Sequence, residues 1–198
     1  MNSDQYKTIK SKSEGYFKDK GSKFYAFAFP VETEEEINKC RDQVRKEYHD
    51  VRHHVYAYRL GADLKNFRAS DDGEPSNSSG PPVLGKIRSN ELSNILIIVV
   101  RYFGGTKLGI PGLINAYGTA AENAVNNAQT IIKTVTKQIN VKFEYPQMND
   151  VMRLIKENNL EILSQDLQLS CEISISVAES KYEKVLNLFK INHKLEVM

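Results

Sequence analysis

Six consecutive aliphatic residues, Ile95-Leu96-Ile97-Ile98-Val99-Val100, constrain this chain more than any other stretch. A run without alternation has no face to offer to water, and it is far shorter than the roughly 20 residues of a membrane span. Five of the six side chains are β-branched, which favours strand over helix. Asn94 to Tyr102 is therefore expected to form a strand buried on both faces, with layers packed above and below it. A chain of 198 residues can supply those layers without disulfides or metals as staples.

The flanking sequence provides candidates for the layers. Residues 6–31 alternate around the turn-rich Lys18-Asp19-Lys20-Gly21-Ser22 and read as a β-hairpin. Thr33 followed by Glu36 is a capping-box signature, opening a helix with Ile37, Cys40, Val44 and Tyr48 at helical spacing. His53 to Leu60 alternates and is expected as a strand. Residues 61–92 are polar and rich in Gly, Ser, Asp and Pro, and read as one long functional loop. After a glycine-rich turn, Pro111 suits the first turn of a helix reaching about Ala128, whose Ala116, Ala120 and Ala124 permit close approach to a sheet.

The pattern then changes. Residues 131–145 read as one strand, followed by a short helix ending at Asn158-Asn159. Two strands joined by a turn at Asp166, a helix over 180–190 and a last strand at 195–197 complete a β-α-β-β-α-β order, the ferredoxin-like arrangement. The expected fold is thus α+β in two domains, 1–135 and 136–198. Residues 1–136 carry 19 basic and 16 acidic side chains and residues 137–198 carry 8 and 9, so the first domain holds what positive field there is.

Targeting and redox signals are sparse. The start, Met1-Asn2-Ser3-Asp4-Gln5-Tyr6-Lys7, lacks the apolar core of a secretory signal, so a cytoplasmic protein without membrane partners is expected. Cys40 and Cys171 have no nearby thiol or His at metal-ligand spacing and read as reduced, mostly buried thiols.

Three stretches could carry chemistry. In Arg52-His53-His54-Val55-Tyr56-Ala57-Tyr58-Arg59, alternation puts His54, Tyr56 and Tyr58 on one strand face. Aromatic planes beside cations can hold bases and phosphates, although strands also favour Tyr for packing alone. In Ser70-Asp71-Asp72-Gly73-Glu74-Pro75-Ser76, three carboxylates within four residues could hold a hard cation, but Asp-Gly pairs more often make turns. In Arg101-Tyr102-Phe103-Gly104-Gly105-Thr106-Lys107-Leu108-Gly109, a buried strand passes through glycines into a helix whose N-terminus could bind an anion beside Arg101 and Lys107. It lacks the Gly-Lys-Ser/Thr of a Walker loop. No nucleophile–base pair stands out, so a binding module is favoured over an enzyme, and no cofactor is expected.

Taken together, Arg52-His53-His54, Ser70 to Ser76 and Arg101 to Gly109, with Ser22-Lys23-Phe24 and Ala116-Tyr117-Gly118, resemble the signature of the Impact/YigZ family over residues 15–128. The chain departs from it at Ser76-Asn77-Ser78-Ser79-Gly80 and at Gly109-Ile110-Pro111-Gly112-Leu113, where the family usually carries further glycines. The resemblance implies a first domain similar to the second domain of a small-subunit ribosomal protein, followed by a ferredoxin-like domain. Eukaryotic members restrain activation of the amino-acid-starvation kinase through its activator. The implied function is translation-linked, with RNA, a ribosomal surface or a translation-regulating protein as partner. The expected anion or nucleic-acid contacts are Arg52, His53, His54, Tyr56, Tyr58, Arg59, Arg101, Tyr102, Gly104, Gly105, Lys107 and Gly109. Asp71, Asp72 and Glu74 are expected either to shape the loop or to hold a metal. The alternative is an enzyme acting on a phosphorylated small molecule or nucleotide through the same glycine-rich and acidic segments.

Overall fold

The computed structural model describes residues 4–168 and 170–197. The chain divides into two compact units, one of residues 6–133 and one of residues 134–197 with Asp4 and Gln5. The first unit is built on a five-stranded sheet of β2 (Ser13–Asp19), β3 (Ser22–Pro30), β4 (His54–Leu60), β5 (Asn66–Ser70) and β6 (Ile95–Tyr102), in the order β2-β3-β6-β4-β5. The aliphatic run lies in the central strand, antiparallel to β3 and β4. Its six side chains are buried, as a strand covered on both faces requires.

Helices α2 (Gly80–Ser89) and α3 (Gly109–Asn126) contribute to the core on one face of that sheet, with Val55, Ala57, Ile95, Ile97 and Val99. The alanine face of α3 allows its backbone to approach β2 so closely that a Cβ on Gly15 would lie 2.3 Å from Ala124 N. Helix α1 (Glu34–Glu47) covers the other face, over Tyr56, Tyr58, Leu96, Ile98 and Val100. Its start carries the expected cap: Thr33 Oγ1 accepts from Glu36 N at 3.2 Å, and Glu36 Oε2 accepts from Glu32 N at 2.7 Å.

Several sequence expectations are corrected here. Residues 61–92 are not one loop; they hold β5 and α2. The Pro81-Pro82 pair that reads as a loop breaker sits in the first turn of α2, where missing N–H groups cost nothing. Residues 6–31 hold a third strand besides the hairpin, because β1 (Gln5–Ile9) pairs with β7 (Thr130–Thr134) in a separate two-stranded sheet. The expected strand over 131–145 is two, β7 and β8 (Thr136–Glu144), interrupted at Val135.

The second unit runs β8, α4 (Met148–Glu157), β9 (Glu161–Leu167), β10 (Ser170–Ala178), α5 (Tyr182–Lys190) and β11 (Glu196–Val197). Its sheet order, β11-β8-β10-β9, is the 4-1-3-2 order of a ferredoxin-like unit. Ile139, Val141, Cys171, Ile173 and Ile175 face the core with Val151, Val185 and Phe189 from the helices. The turn expected at Asp166 falls later, since β9 continues to Leu167. Among the described residues no helix is long and apolar enough to cross a membrane.

Candidate anion and RNA site

The acidic segment is a turn in which each carboxylate has a structural task. Asp72 and Gly73 adopt positive φ, +44° and +88°, and Glu74 N donates to Asp71 O at 3.0 Å. Asp71 Oδ1 accepts from the amides of Ser79 and Gly80 at 2.9 and 2.8 Å and from the Ser79 hydroxyl at 2.7 Å, while Oδ2 accepts from Asn77 N at 2.8 Å. It thereby satisfies amides at the start of α2, whose N-cap residue Ser79 makes no side-chain cap of its own. Burial pushes the Asp71 carboxyl upward, but the Ser79 hydroxyl and the amides of Gly80, Asn77 and Ser79 outweigh it and hold its pKa below the ordinary value.

That shift has a sign. A carboxyl with a lowered folded-state pKa adds stability above the ordinary aspartate range and loses it as pH falls through the folded value. Asp71→Asn is expected to cost about 1–2 kcal/mol at neutral pH, with the gap to the unsubstituted protein shrinking below about pH 4. Urea unfolding at a series of pH values measures this; a gap that stays constant with pH would refute it.

Asp72 Oδ2 accepts from His54 N at 2.6 Å, and its Oδ1 lies 3.5 Å from Arg45. Glu74 is the deepest of the three. Its Oε1 accepts from Arg101 Nη1 at 2.9 Å and from the Tyr117 hydroxyl at 2.8 Å, and the Glu74 side chain is 5% exposed. Burial, then the adjacent Glu74 charge, pushes the Tyr117 hydroxyl far above its ordinary pKa, so it stays a donor. The acids therefore serve protein donors. Among the described residues no three His, Cys, Asp or Glu side chains gather as a metal site. Of the two roles expected for Asp71, Asp72 and Glu74, shaping the loop or holding a metal, these bonds are of the loop-shaping kind.

The Glu74 pair positions Arg101 at the end of β6. The guanidinium lies 5.6 Å from the Phe24 ring and 5.4 Å from that of Phe103, which is 61% exposed. Arg101 Nε is the only buried side-chain nitrogen or oxygen without a partner among the described residues. It belongs to a residue lining a cavity of about 330 Å³ formed by residues 50–53 and 101–103. Arg52 is exposed there and makes no ion pair among the described residues. His53 Nδ1 lies 2.6 Å from Asp72 O.

The other expected contacts divide differently. Tyr56 and Tyr58 are 4% and 7% exposed, in the core that α1 covers, with the Arg41 guanidinium 4.0 Å from the Tyr56 ring. They offer no surface to a base, which corrects the stacking platform read from alternation. His54 Nε2 lies 3.1 Å from Tyr48 O, and burial pulls the ring's pKa down. Arg59 donates to Leu64 O at 3.3 Å, on the opposite end of β4 from His53. Tyr102 lines the cavity and its hydroxyl donates to Asp50 at 2.9 Å. Gly104 packs on the β2–β3 turn, donating to Ser22 Oγ at 3.1 Å, while Gly105 and Gly109 supply positive φ, +87° and +71°. Lys107 is exposed, and the α3 start that follows has neither a side-chain cap nor an acid in its first turn. The structure thus brings Arg52, His53, Arg101 and Tyr102 together. It adds Phe103 and Asp50, which only strand pairing across the sheet could have placed beside them.

A site framed by these motifs defines a class of proteins. The sequence profile of the Impact N-terminal domain matches residues 20–125. An IMPACT family member of Haemophilus influenzae is 31% identical over 166 residues, covering 83% of this chain and 81% of that protein. IMPACT family member YigZ of Escherichia coli is 31% identical over 174 residues, covering 78% of this chain and 85% of its own. The chain belongs to the IMPACT family. A crystal structure described as that of a hypothetical protein matches the fold with a TM-score of 0.72 at 26% identity, over 98% of this chain and 97% of the other.

Proposed function

We propose that the unit of residues 6–133 binds single-stranded RNA, free or displayed on a ribosomal surface, in a translation-linked role. The buried, unpartnered Nε of Arg101 in the wall of a cavity shared with Arg52 and His53 carries this reading. A buried donor without a partner is costly, and an anion that reached Nε from the cavity through a small shift of the Arg101 side chain would relieve that cost. Arg52, exposed and without an ion pair among the described residues, supplies a second cation, and exposed Phe103 supplies a ring on which a base can stack. The translation link is drawn from the family, whose eukaryotic members regulate translation.

The near-neutral first domain fits a discrete site better than a broad electrostatic groove. Losing one charge-assisted hydrogen bond of about 1.5–3 kcal/mol weakens binding at least about tenfold. Arg52 is exposed and makes no bond among the described residues, so Arg52→Ala is expected to raise the dissociation constant for a labelled single-stranded RNA by about that factor in an anisotropy titration. Equal affinity of Arg52→Ala and the unsubstituted protein would sink the assignment.

A further inference from the structure

We propose that the cavity at Arg52, His53 and Arg101 accepts one ribonucleotide and that His53 Nε2 accepts a hydrogen bond from its 2′-hydroxyl, so the site selects RNA over DNA. The inference rests on the RNA-binding reading above and goes beyond it by naming the group that is read. The His53 ring is held on one side only. Its Nδ1 lies 2.6 Å from the backbone carbonyl of Asp72, and a carbonyl has no proton to give, so Nδ1 carries the hydrogen. In the neutral ring Nε2 is then an acceptor. It makes no bond among the described residues. Because Arg101 Nε is the only buried unpartnered side-chain atom among them, His53 Nε2 faces solvent.

The ring's place is set by the same turn that delivers Glu74 to Arg101. Gly73 stands at φ +88°, and a Cβ there would sit 3.2 Å from both Nδ1 and Cε1 of His53. A side chain at that position would press on the ring, so the glycine leaves the imidazole where Asp72 O holds it. The cavity is lined by Arg52 and Arg101, which only donate, by the Asp50 carboxylate, which already accepts from the Tyr102 hydroxyl, and by His53, whose Nε2 in the neutral ring only accepts and has no partner among the described residues.

That mixture discriminates among anions. A phosphate diester offers acceptors alone and satisfies the arginines, but leaves the His53 acceptor facing another acceptor. A hydroxyl beside the phosphate completes the set. In RNA the 2′-hydroxyl is on the carbon next to the one bearing the 3′-phosphate, and in DNA its place is taken by C–H. The 2′-hydroxyl is the group by which proteins distinguish the two nucleic acids. Phe103, in the same cavity wall and 61% exposed, is available to the base of that nucleotide. A volume of about 330 Å³ suits a single nucleotide rather than a strand.

The test compares one sequence as single-stranded RNA, as DNA and as 2′-O-methyl RNA, all with the unsubstituted protein. The methyl group removes the donor while keeping the sugar. RNA is expected to bind about three- to tenfold more tightly than either analogue, the worth of one neutral hydrogen bond at a solvent-open site. His53→Ala is expected to bind RNA and DNA alike, its thermal unfolding confirming that the domain is intact. Equal binding of RNA, DNA and 2′-O-methyl RNA by the unsubstituted protein overturns the inference while leaving RNA binding in place. Selectivity that survives in His53→Ala overturns it as well. Failure of every oligonucleotide to bind overturns the RNA-binding reading itself.

Discussion

Glu74→Ala is expected to destabilise the first unit by about 3–5 kcal/mol, the cost of removing one partner from a buried ion pair. The carboxylate holds together three elements distant in sequence: the acidic turn, the end of β6 through Arg101, and α3 through Tyr117. With alanine in its place the Arg101 guanidinium, 10% exposed, loses its counter-charge and the Tyr117 hydroxyl loses its acceptor. The Tyr117 hydroxyl cannot recover water without opening the sheet–helix interface, because Tyr117 is fully buried and packs edge-on against Phe24 at 5.1 Å. Glu74→Gln keeps an acceptor for both donors and should lose only about half as much. Hydrogen exchange of the α3 amides under increasing urea reads this unit separately from residues 134–197. Protection in Glu74→Ala equal to that of the unsubstituted protein would contradict the assigned role.

Gly104→Ala is expected to cost about 3 kcal/mol, near the top of the usual range for forcing an added group into packed structure. Its Cβ would fall 1.9 Å from the Gly21 carbonyl carbon and 2.1 Å from Ser22 N. Both are backbone atoms of the β2–β3 turn and cannot rotate away. The loop after β6 must then lift, carrying Phe103 with it. Gly105→Ala provides the contrast: nothing lies within 4 Å of its Cβ position, and its penalty is the left-handed backbone at φ +87°. That substitution should cost about 1–2 kcal/mol. Thermal unfolding of the pair measures the difference, and a milder effect at Gly104 than at Gly105 would contradict the close approach.

Local signals identified much of the architecture. The short run marked the central strand because its β-branched residues favour a strand and its lack of alternation requires burial on both faces. Thr33 and Glu36 marked the α1 start because the capping bonds span only four residues. The second unit's β-α-β-β-α-β order was readable from alternation and helical spacing. Helix α2 was not, because its start is satisfied from Asp71, eight and nine residues before the amides it caps, and its Gly-Pro-Pro opening looks like a loop. The site was legible in its motifs and illegible in their wiring. Alternation separated Tyr56 and Tyr58 from Val55 and Ala57 correctly, but nothing local says that α1 covers the tyrosine side. Glu74 read as one of three acids, since its partners lie 27 and 43 residues away.

The measurement that bears most directly on the account is the salt dependence of single-stranded RNA binding. Each phosphate neutralised on a single strand contributes a log–log slope of about −0.7, so a site whose unpaired cation is Arg52, Arg101 being already paired with Glu74, predicts about −0.7. In Arg52→Ala the slope should fall close to zero. The absence of binding at low salt, or a slope left unchanged by Arg52→Ala, would contradict the claim that this cavity is where RNA is held.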